Sequence, residues 1–110
     1  MIVKGLTVEI VPAEKGAGRK LLARGGNMMM TEVTFQKDAI GEMHSHNHEQ
    51  ISYIVQGSFD FTLDGITELV EKGDSIYIPS NTLHGVKALE NESIILDIFT
   101  PQRVDFLRKI

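Results

Sequence analysis

Three of the four histidines of this 110-residue sequence lie within five positions, at His44, His46 and His48. Neutral imidazole is a common ligand of divalent transition metals. Residues two apart in an extended strand point to the same side, so an unbroken strand here would aim all three rings in one direction. The spacing is typical of a metal-binding segment. The alternative is a histidine-bearing turn exposed to solvent, and this pattern alone does not decide between them.

The fourth histidine, His84, ends a second pattern. It follows Gly73-x5-Pro79-x-Asn81-x2, whereas the first segment reads His44-x-His46-x3-Gln50-x6-Gly57. In this order, with two predicted hairpin strands between them, the segments resemble the two motifs of the cupin superfamily. The resemblance covers residues 20–101 approximately. It implies an all-β fold, a small jelly-roll barrel (double-stranded β-helix) with a metal ion inside.

The same resemblance implies the ligand set of that ion, namely His44, His46, Gln50 and His84. Three neutral imidazoles and one amide oxygen suit one divalent transition metal ion and leave coordination positions open for water or substrate. Zn, Ni, Fe, Mn and Cu all remain possible. The family commonly has Glu where this chain has Gln50, so the site is expected to be one charge unit more positive.

Three other departures from the motifs remove none of these ligands. Asp38 and Asn81 stand where the motifs usually have Gly, and both residue types tolerate positive φ. Ala88 replaces a final Asn. We interpret His48 as a solvent-facing turn residue, the alternative being an extra ligand or proton carrier, and Glu49 as a surface charge.

A narrower resemblance lies near the end of the chain, in Asp97-x-Phe99-x-Pro101-x-Arg103. With the His-Glu-Gln run at 48–50, it is similar to the KdgF-like single-domain cupins, which open the ring of 4,5-unsaturated uronates from pectin and alginate breakdown. The resemblance implies that Asp97 is the acid/base, Arg103 binds the substrate carboxylate and Phe99 shapes the pocket. The alternative is that Asp97 and Arg103 pair across the barrel mouth or cap a terminal helix, with Phe99 in the core.

Two other functions fit the same motifs. One is a metal-dependent dioxygenase of the cupin type, and the other is a non-catalytic module that binds a sugar acid. Oxygen uptake would indicate the dioxygenase. Binding of a sugar acid without turnover would indicate the non-catalytic module. The expected partner in each sugar-acid hypothesis is a small anionic molecule.

The elements that must position these residues are mostly short strands. Glycine turns at Gly25-Gly26 and Asp64-Gly65 predict two hairpins, and extended runs recur every eight to twelve residues. The spacing predicts an antiparallel sandwich or barrel. A leading strand is expected over residues 7–11, ended by Pro12 and followed by a turn over 14–18, and Met28, Met29 and Met30 are interpreted as packing residues.

The last stretch differs from the rest. Thr100 is suited to cap a helix and Pro101 to begin it. The residues expected to share one helical face are Val104, Phe106, Leu107 and Ile110. A short C-terminal helix is therefore predicted.

Size and composition limit the remaining possibilities. A chain of 110 residues fits one domain, residues 1–110, around a single core. The net charge of −4 and the scattered basic residues argue against nucleic acid as a partner, and the chain has no cysteine for disulfides or thiolate chemistry. No signal-like or membrane-spanning run is found, so cytoplasmic residence is expected. A homodimer is expected because pairing would cover exposed strand edges.

Overall fold

The computed structural model describes residues 1–107, which form two antiparallel sheets. The strands are β1 (Val11–Glu14), β2 (Ala17–Gly25), β3 (Met28–Phe35), β4 (Ile40–His44), β5 (Glu49–Gln56), β6 (Ser58–Leu63), β7 (Ile66–Glu71), β8 (Ser75–Ile78), β9 (His84–Ala88) and β10 (Ser93–Thr100). One sheet has the order β1-β2-β3-β10-β5-β8 and the other β4-β9-β6-β7. The predicted all-β jelly-roll architecture is confirmed. No helix in residues 1–107 is long and apolar enough to cross a membrane.

Both predicted hairpins are present. Gly26-Asn27 joins β2 to β3, one residue later than the predicted Gly25-Gly26, because Gly25 still pairs with Met28. Asp64-Gly65 joins β6 to β7 with Leu63 paired directly to Ile66. Asp64 and Gly65 both have positive φ, at 50° and 82°. This is the backbone that a two-residue turn between twisted strands requires, and Asp and Gly accept it at low cost.

The predicted leading strand was misplaced. Residues 5–7 form a 3-10 helix, and the first strand, β1, begins at Val11 and contains Pro12 instead of ending before it. β1 lies at the edge of its sheet, where a missing N–H removes no bond to a further strand. The predicted turn over 14–18 narrows to Lys15-Gly16, because Ala17 and Gly18 already pair with β1.

The C-terminal helix is shorter and later than predicted. Thr100 does not cap a helix, because it is the last residue of β10 and pairs with Glu49. A 3-10 helix spans Val104–Leu107, so Pro101 is not its first residue. Phe106 is half-buried, whereas Val104 and Leu107 are exposed, and Ile110 lies outside the described residues. Sheet pairing therefore outweighs the local capping signal.

The core lies between the sheets and consists of inward-facing apolar side chains. Its fully buried members are Val33, Phe35, Ile54, Phe59, Ala88 and Ile95. Phe35 and Phe59 meet edge to face at 5.3 Å between ring centroids. Of the methionine trio, Met29 is buried, Met30 is half-buried and Met28 is exposed. The packing interpretation is therefore confirmed for Met29 and wrong for Met28, as strand alternation requires.

Along three strands the inward face changes from apolar to polar. On β5, Ile54 belongs to the core, and Ser52 and Gln50 follow at the same parity. The same change leads from Ile95 to Asp97 on β10 and from Ala88 to His84 on β9. Because same-parity residues share a face, these strands carry the core side chains at one end and the candidate site at the other.

Gly57, between β5 and β6, provides a test of this packing. Its φ is +76°, and a Cβ at this position would overlap Ser93 Oγ and lie 2.8 Å from Ser93 Cα. We expect Gly57→Ala to lower the free energy of unfolding by about 2 to 5 kcal/mol, from left-handed strain plus overpacking. Urea titration measures the loss. Gly65→Ala is the matched control, because Gly65 has φ +82° and open space around it. Equal losses in the two variants would contradict the proposed clash with Ser93.

Candidate metal centre

The histidine segment is not one unbroken strand, so strand parity does not align the three rings. β4 ends at His44, and His46 lies in the loop before β5. The backbone N–H of Asn81 fixes this loop by donating a hydrogen bond of 2.7 Å to the backbone carbonyl of His46. Asn81 has φ 61° and Asp38 has φ 70°, which confirms that both accept the left-handed backbone expected of them. His46 therefore reaches the site through a turn contact and not through strand parity.

His44 and His84 reach the site as a cross-strand pair. They oppose each other where β4 ends and β9 begins, with ring centroids 4.3 Å apart. Next to them, a Cβ on Gly85 would lie 2.6 Å from Met43 Sδ and 2.9 Å from the Gly41 carbonyl. The absence of a side chain at Gly85 allows the two strands to approach closely here.

The three rings are held in one tautomer by backbone carbonyls. Nδ1 of His44 donates to the Glu42 carbonyl at 2.8 Å, and Nδ1 of His84 donates to the Thr82 carbonyl at 2.8 Å. Nδ1 of His46 donates to the His48 carbonyl at 3.1 Å. Because a carbonyl can only accept, each ring carries its proton on Nδ1 and keeps the Nε2 lone pair for another partner. Potential ligand atoms of the three rings lie within 4.8 Å of one another.

Gln50 adds an oxygen to this cluster. Its Nε2 donates to Ser52 Oγ at 2.9 Å and to Asp97 Oδ1 at 3.1 Å, which turns Oε1 towards His46 Nε2 at 3.0 Å. With Nδ1 protonated, the contact between Nε2 and Oε1 is favourable only with a cation at Nε2, either a second proton on the imidazole or a metal ion. His84 Nε2 is also buried and has no hydrogen-bond partner within residues 1–107. This donor set fits a divalent transition metal ion.

The electrostatic environment favours neutral imidazoles. Burial lowers the pKa of His84 to about 4. Burial, followed by repulsion from Arg103, lowers the pKa of His46. Both rings are therefore unprotonated at Nε2 near neutral pH, and an incoming cation would not have to displace a proton from them.

Asp97 lies next to the cluster because of the register between β5 and β10. Asp97 pairs with Ser52, and Phe99 pairs with Gln50, so all four side chains share the inner face. Asp97 Oδ1 accepts hydrogen bonds from Ser52 Oγ at 2.6 Å and from Gln50 Nε2. Burial raises the pKa of Asp97, although both hydrogen bonds and the nearby arginines act in the opposite direction.

The alternative that Arg103 pairs with Asp97 is not what the structure shows. The Nε and Nη2 of Arg103 bind Asp105, at 3.1 Å and 2.9 Å. Asp97, Phe99 and Arg103 instead line one cavity of about 360 Å³. The metal-site residues His44, Gln50 and His84 line the same cavity. Its volume is in the range of small-molecule sites.

Sequence reasoning did not mark Ser52 or Arg19 as cavity residues, and it misjudged the exposure of His48. Ser52 and Arg19 both line the cavity. Ser52 shares strand parity with Gln50, so that signal was available, but no motif marked Arg19. His48 is half-buried, with its ring 6.4 Å from the ring of Phe99, so the prediction that it faces solvent was wrong. Glu49 is exposed and accepts a hydrogen bond from the Tyr77 hydroxyl, as a surface charge would.

Comparison with known proteins identifies similar chains. The family described as "Cupin domain" matches residues 31–99, more than half of the chain. The pectin degradation protein KdgF of Dickeya dadantii is 40% identical over 93 residues, covering 84% of each sequence. The structure of KdgF from Halomonas sp. matches with TM-score 0.93 and 34% identity, over 96% of this chain and 97% of that one. An RmlC-like cupin from Shewanella frigidimarina has TM-score 0.90 and 33% identity, with 96% and 94% covered.

The ligand set can be tested by removing one imidazole at a time. Removing a group that only hydrogen-bonds a metal ligand already weakens metal binding by about 10- to 100-fold. We expect His46→Ala and His84→Ala, which remove a ligand itself, each to weaken binding of a divalent transition metal by more than that. Elemental analysis after equal metal loading measures retention. His48→Ala is the matched control, because it removes a neighbouring ring that is not in the cluster. Wild-type metal content in His84→Ala would show that the ligand assignment is wrong.

Proposed function

The chain belongs to the cupin family, and from that membership and the site geometry we propose that it opens the ring of 4,5-unsaturated uronates. Its similarity to two KdgF proteins, one named for pectin degradation, supports a substrate derived from a sugar acid. The observation that carries the proposal is the position of Asp97. This carboxylate faces the cavity, and it is hydrogen-bonded to the amide of a candidate metal ligand, Gln50.

The reaction is an isomerisation that needs proton transfers but no oxidant. The anomeric hydroxyl loses its proton, the bond between the ring oxygen and the anomeric carbon breaks, and an aldehyde forms. The released enolate then gains a proton at its β-carbon and becomes a ketone. A positioned carboxylate can accept the first proton and deliver the second. We assign both transfers to Asp97 because its carboxylate lines the cavity.

The neighbours of Asp97 hold it in place for this role. Ser52 and Gln50 both donate to Oδ1, so Oδ2 is the oxygen that the described hydrogen bonds leave available to substrate. Phe99, 2% exposed, meets the rings of His46 and Phe106 edge to face at 5.9 Å and 5.8 Å between centroids, and we expect it to limit the space beside the substrate. Arg103 lies at the same wall, where a guanidinium suits a carboxylate.

We propose that His44, His46, Gln50 and His84 hold one divalent transition metal ion, whose identity stays open. When bound, such an ion polarises substrate oxygens and favours charge on them. Of the residues that would hold it, His44, Gln50 and His84 line the same cavity as Asp97. An oxygen-using dioxygenase and a non-catalytic sugar-acid module remain the competing hypotheses, and oxygen uptake or binding without turnover would favour them respectively.

Two further expectations from the sequence stay predictions, namely residence in the cytoplasm and assembly as a homodimer. The second is supported by the outer face of β5 and β8, where Ile51, Tyr53 and Tyr77 are exposed. Ile51 and Tyr77 are cross-strand partners, so these apolar side chains are neighbours on one surface. A molar mass in solution equal to one 12.2 kDa chain would contradict the dimer.

Gln50→Glu separates metal binding from turnover. A carboxylate is a stronger anionic ligand, so we expect metal content to be kept. It would also place an acceptor against Asp97 Oδ1, where Gln50 Nε2 now donates at 3.1 Å. The lost donor and the added negative charge should lower the rate of ring opening by at least about tenfold, since a lost hydrogen bond to a charged group costs roughly 1.5–3 kcal/mol. Unchanged turnover with unchanged metal would show that the amide is incidental.

Asp97→Asn tests the proposed acid/base directly. The amide keeps the shape and an oxygen that can accept from Ser52, but it cannot exchange the catalytic proton. We expect turnover to fall by roughly 10²- to 10⁴-fold with metal retained. The assay follows loss of the ultraviolet absorbance of the unsaturated uronate. Asp64→Asn, in an exposed turn, is the matched control. The proposal fails if Asp97→Asn matches wild type, or if the metal-loaded wild type does not accelerate the loss over buffer.

A further inference from the structure

Arg19 of β2 has no part in the proposed reaction, yet it lines the same cavity as Asp97 and Arg103. Its guanidinium carbon lies 3.8 Å from the centroid of the Phe106 ring. The guanidinium carbon of Arg103 lies 4.3 Å from that same centroid. Phe106 therefore brings two arginines from opposite ends of the chain to one wall of the cavity, where stacking limits the freedom of both.

The two arginines differ in how their donors are used. Arg103 donates hydrogen bonds to Asp105 through Nε and Nη2. Arg19 Nε is buried and has no hydrogen-bond partner in residues 1–107, and no ion pair is formed by Arg19 with any acidic side chain of that range. A buried donor without an acceptor is costly, and few native groups are left so. The Nη groups of Arg19 likewise form no hydrogen bond or ion pair within residues 1–107, and they, not the enclosed Nε, are the donors that an acceptor entering the cavity would meet.

The electrostatics of Arg19 agree with a missing anion. Burial, followed by repulsion from Arg103, lowers the pKa of Arg19. Asp97, Asp105 and Glu14 act in the opposite direction, but none of them makes a direct contact with its guanidinium. Arginine stays protonated in proteins, so the positive charge remains and favours an anion placed against it.

We propose that Arg19 binds the carboxylate of the sugar-acid substrate, and that Arg103 contributes its remaining donors to the same group. This inference rests on the proposed function for the identity of the ligand. A planar carboxylate matches the free fork of Arg19, which can donate two parallel hydrogen bonds. The pair of arginines selects free uronates over their neutral esters, and it holds the sugar ring between the metal site and Phe106.

Calorimetry on the full-length, metal-loaded protein tests the inference without requiring turnover. The probes are galacturonate, which lacks the 4,5 double bond, and its methyl ester. We expect Arg19→Gln to weaken binding of galacturonate by about 10- to 100-fold, the typical effect of losing a charge-assisted pair. Binding of the ester should change little. Arg19→Lys, which keeps the charge but not the fork, should show an intermediate loss.

Arg24→Gln is the matched control. Arg24 lies on the same strand, is exposed and bonds Gln102 away from the cavity, so its loss should leave both affinities unchanged. The inference is overturned if Arg19→Gln binds galacturonate as wild type does, or if acid and ester lose affinity equally. A thermal melt reports whether each variant is folded, and Arg19→Lys carries the test if Arg19→Gln does not fold.

The outcome is independent of the proposed activity. If the wild type does not open unsaturated uronates but binds galacturonate in an Arg19-dependent way, the ring-opening proposal fails and the carboxylate site stands. If ring opening proceeds and Arg19→Gln leaves its KM and the affinity for galacturonate unchanged, the carboxylate site fails and the activity stands.

Discussion

The candidate site depends on the register between β5 and β10. Pairing Ser52 with Asp97 and Gln50 with Phe99 places a hydroxyl, an amide, a carboxylate and an aromatic ring on one inner face. A shift of one residue in either strand would turn its two side chains to the outer face. The core residues Ile54 and Ile95 are cross-strand partners in the same ladder, so the packing that stabilises the barrel also fixes the register of the site.

Much of this arrangement could be predicted from the sequence. Turn residues with strong backbone preferences marked both hairpins, and two motifs brought His44, His46, Gln50 and His84 to one expected site. The structure places potential ligand atoms of the three histidines within 4.8 Å of one another and Gln50 Oε1 at 3.0 Å from His46. Local sequence carries such information because turn geometry and strand parity are properties of a few adjacent residues.

The rest depends on contacts between distant segments. Pro12 normally indicates the end of a strand, but it is tolerated within β1 because β1 lies at a sheet edge. Local sequence does not report which strand is at an edge. Thr100 is a fair helix cap in isolation, but pairing with Glu49 extends β10 through it. Arg19 joins the cavity because β2 lies two strands from β10 and Phe106 folds back over both arginines. No local pattern reports which arginine of a chain will stack on an aromatic ring far along the sequence.

The neutral ligand set has a consequence for electroneutrality. Three imidazoles and an amide would leave both charges of a divalent ion uncompensated by its own ligands, and Arg19 and Arg103 line the same cavity. Of the nearby carboxylates, Asp97 lies at the buried end, Glu14 and Glu42 are exposed and screened by solvent, and Asp105 is already paired with Arg103. In a cavity of low dielectric such an excess of positive charge is expensive. A monoanion that enters reduces this excess, whereas a neutral sugar of the same shape does not. By the same reasoning small inorganic anions should occupy the cavity at high concentration, so buffer composition is itself a variable in any study of this site.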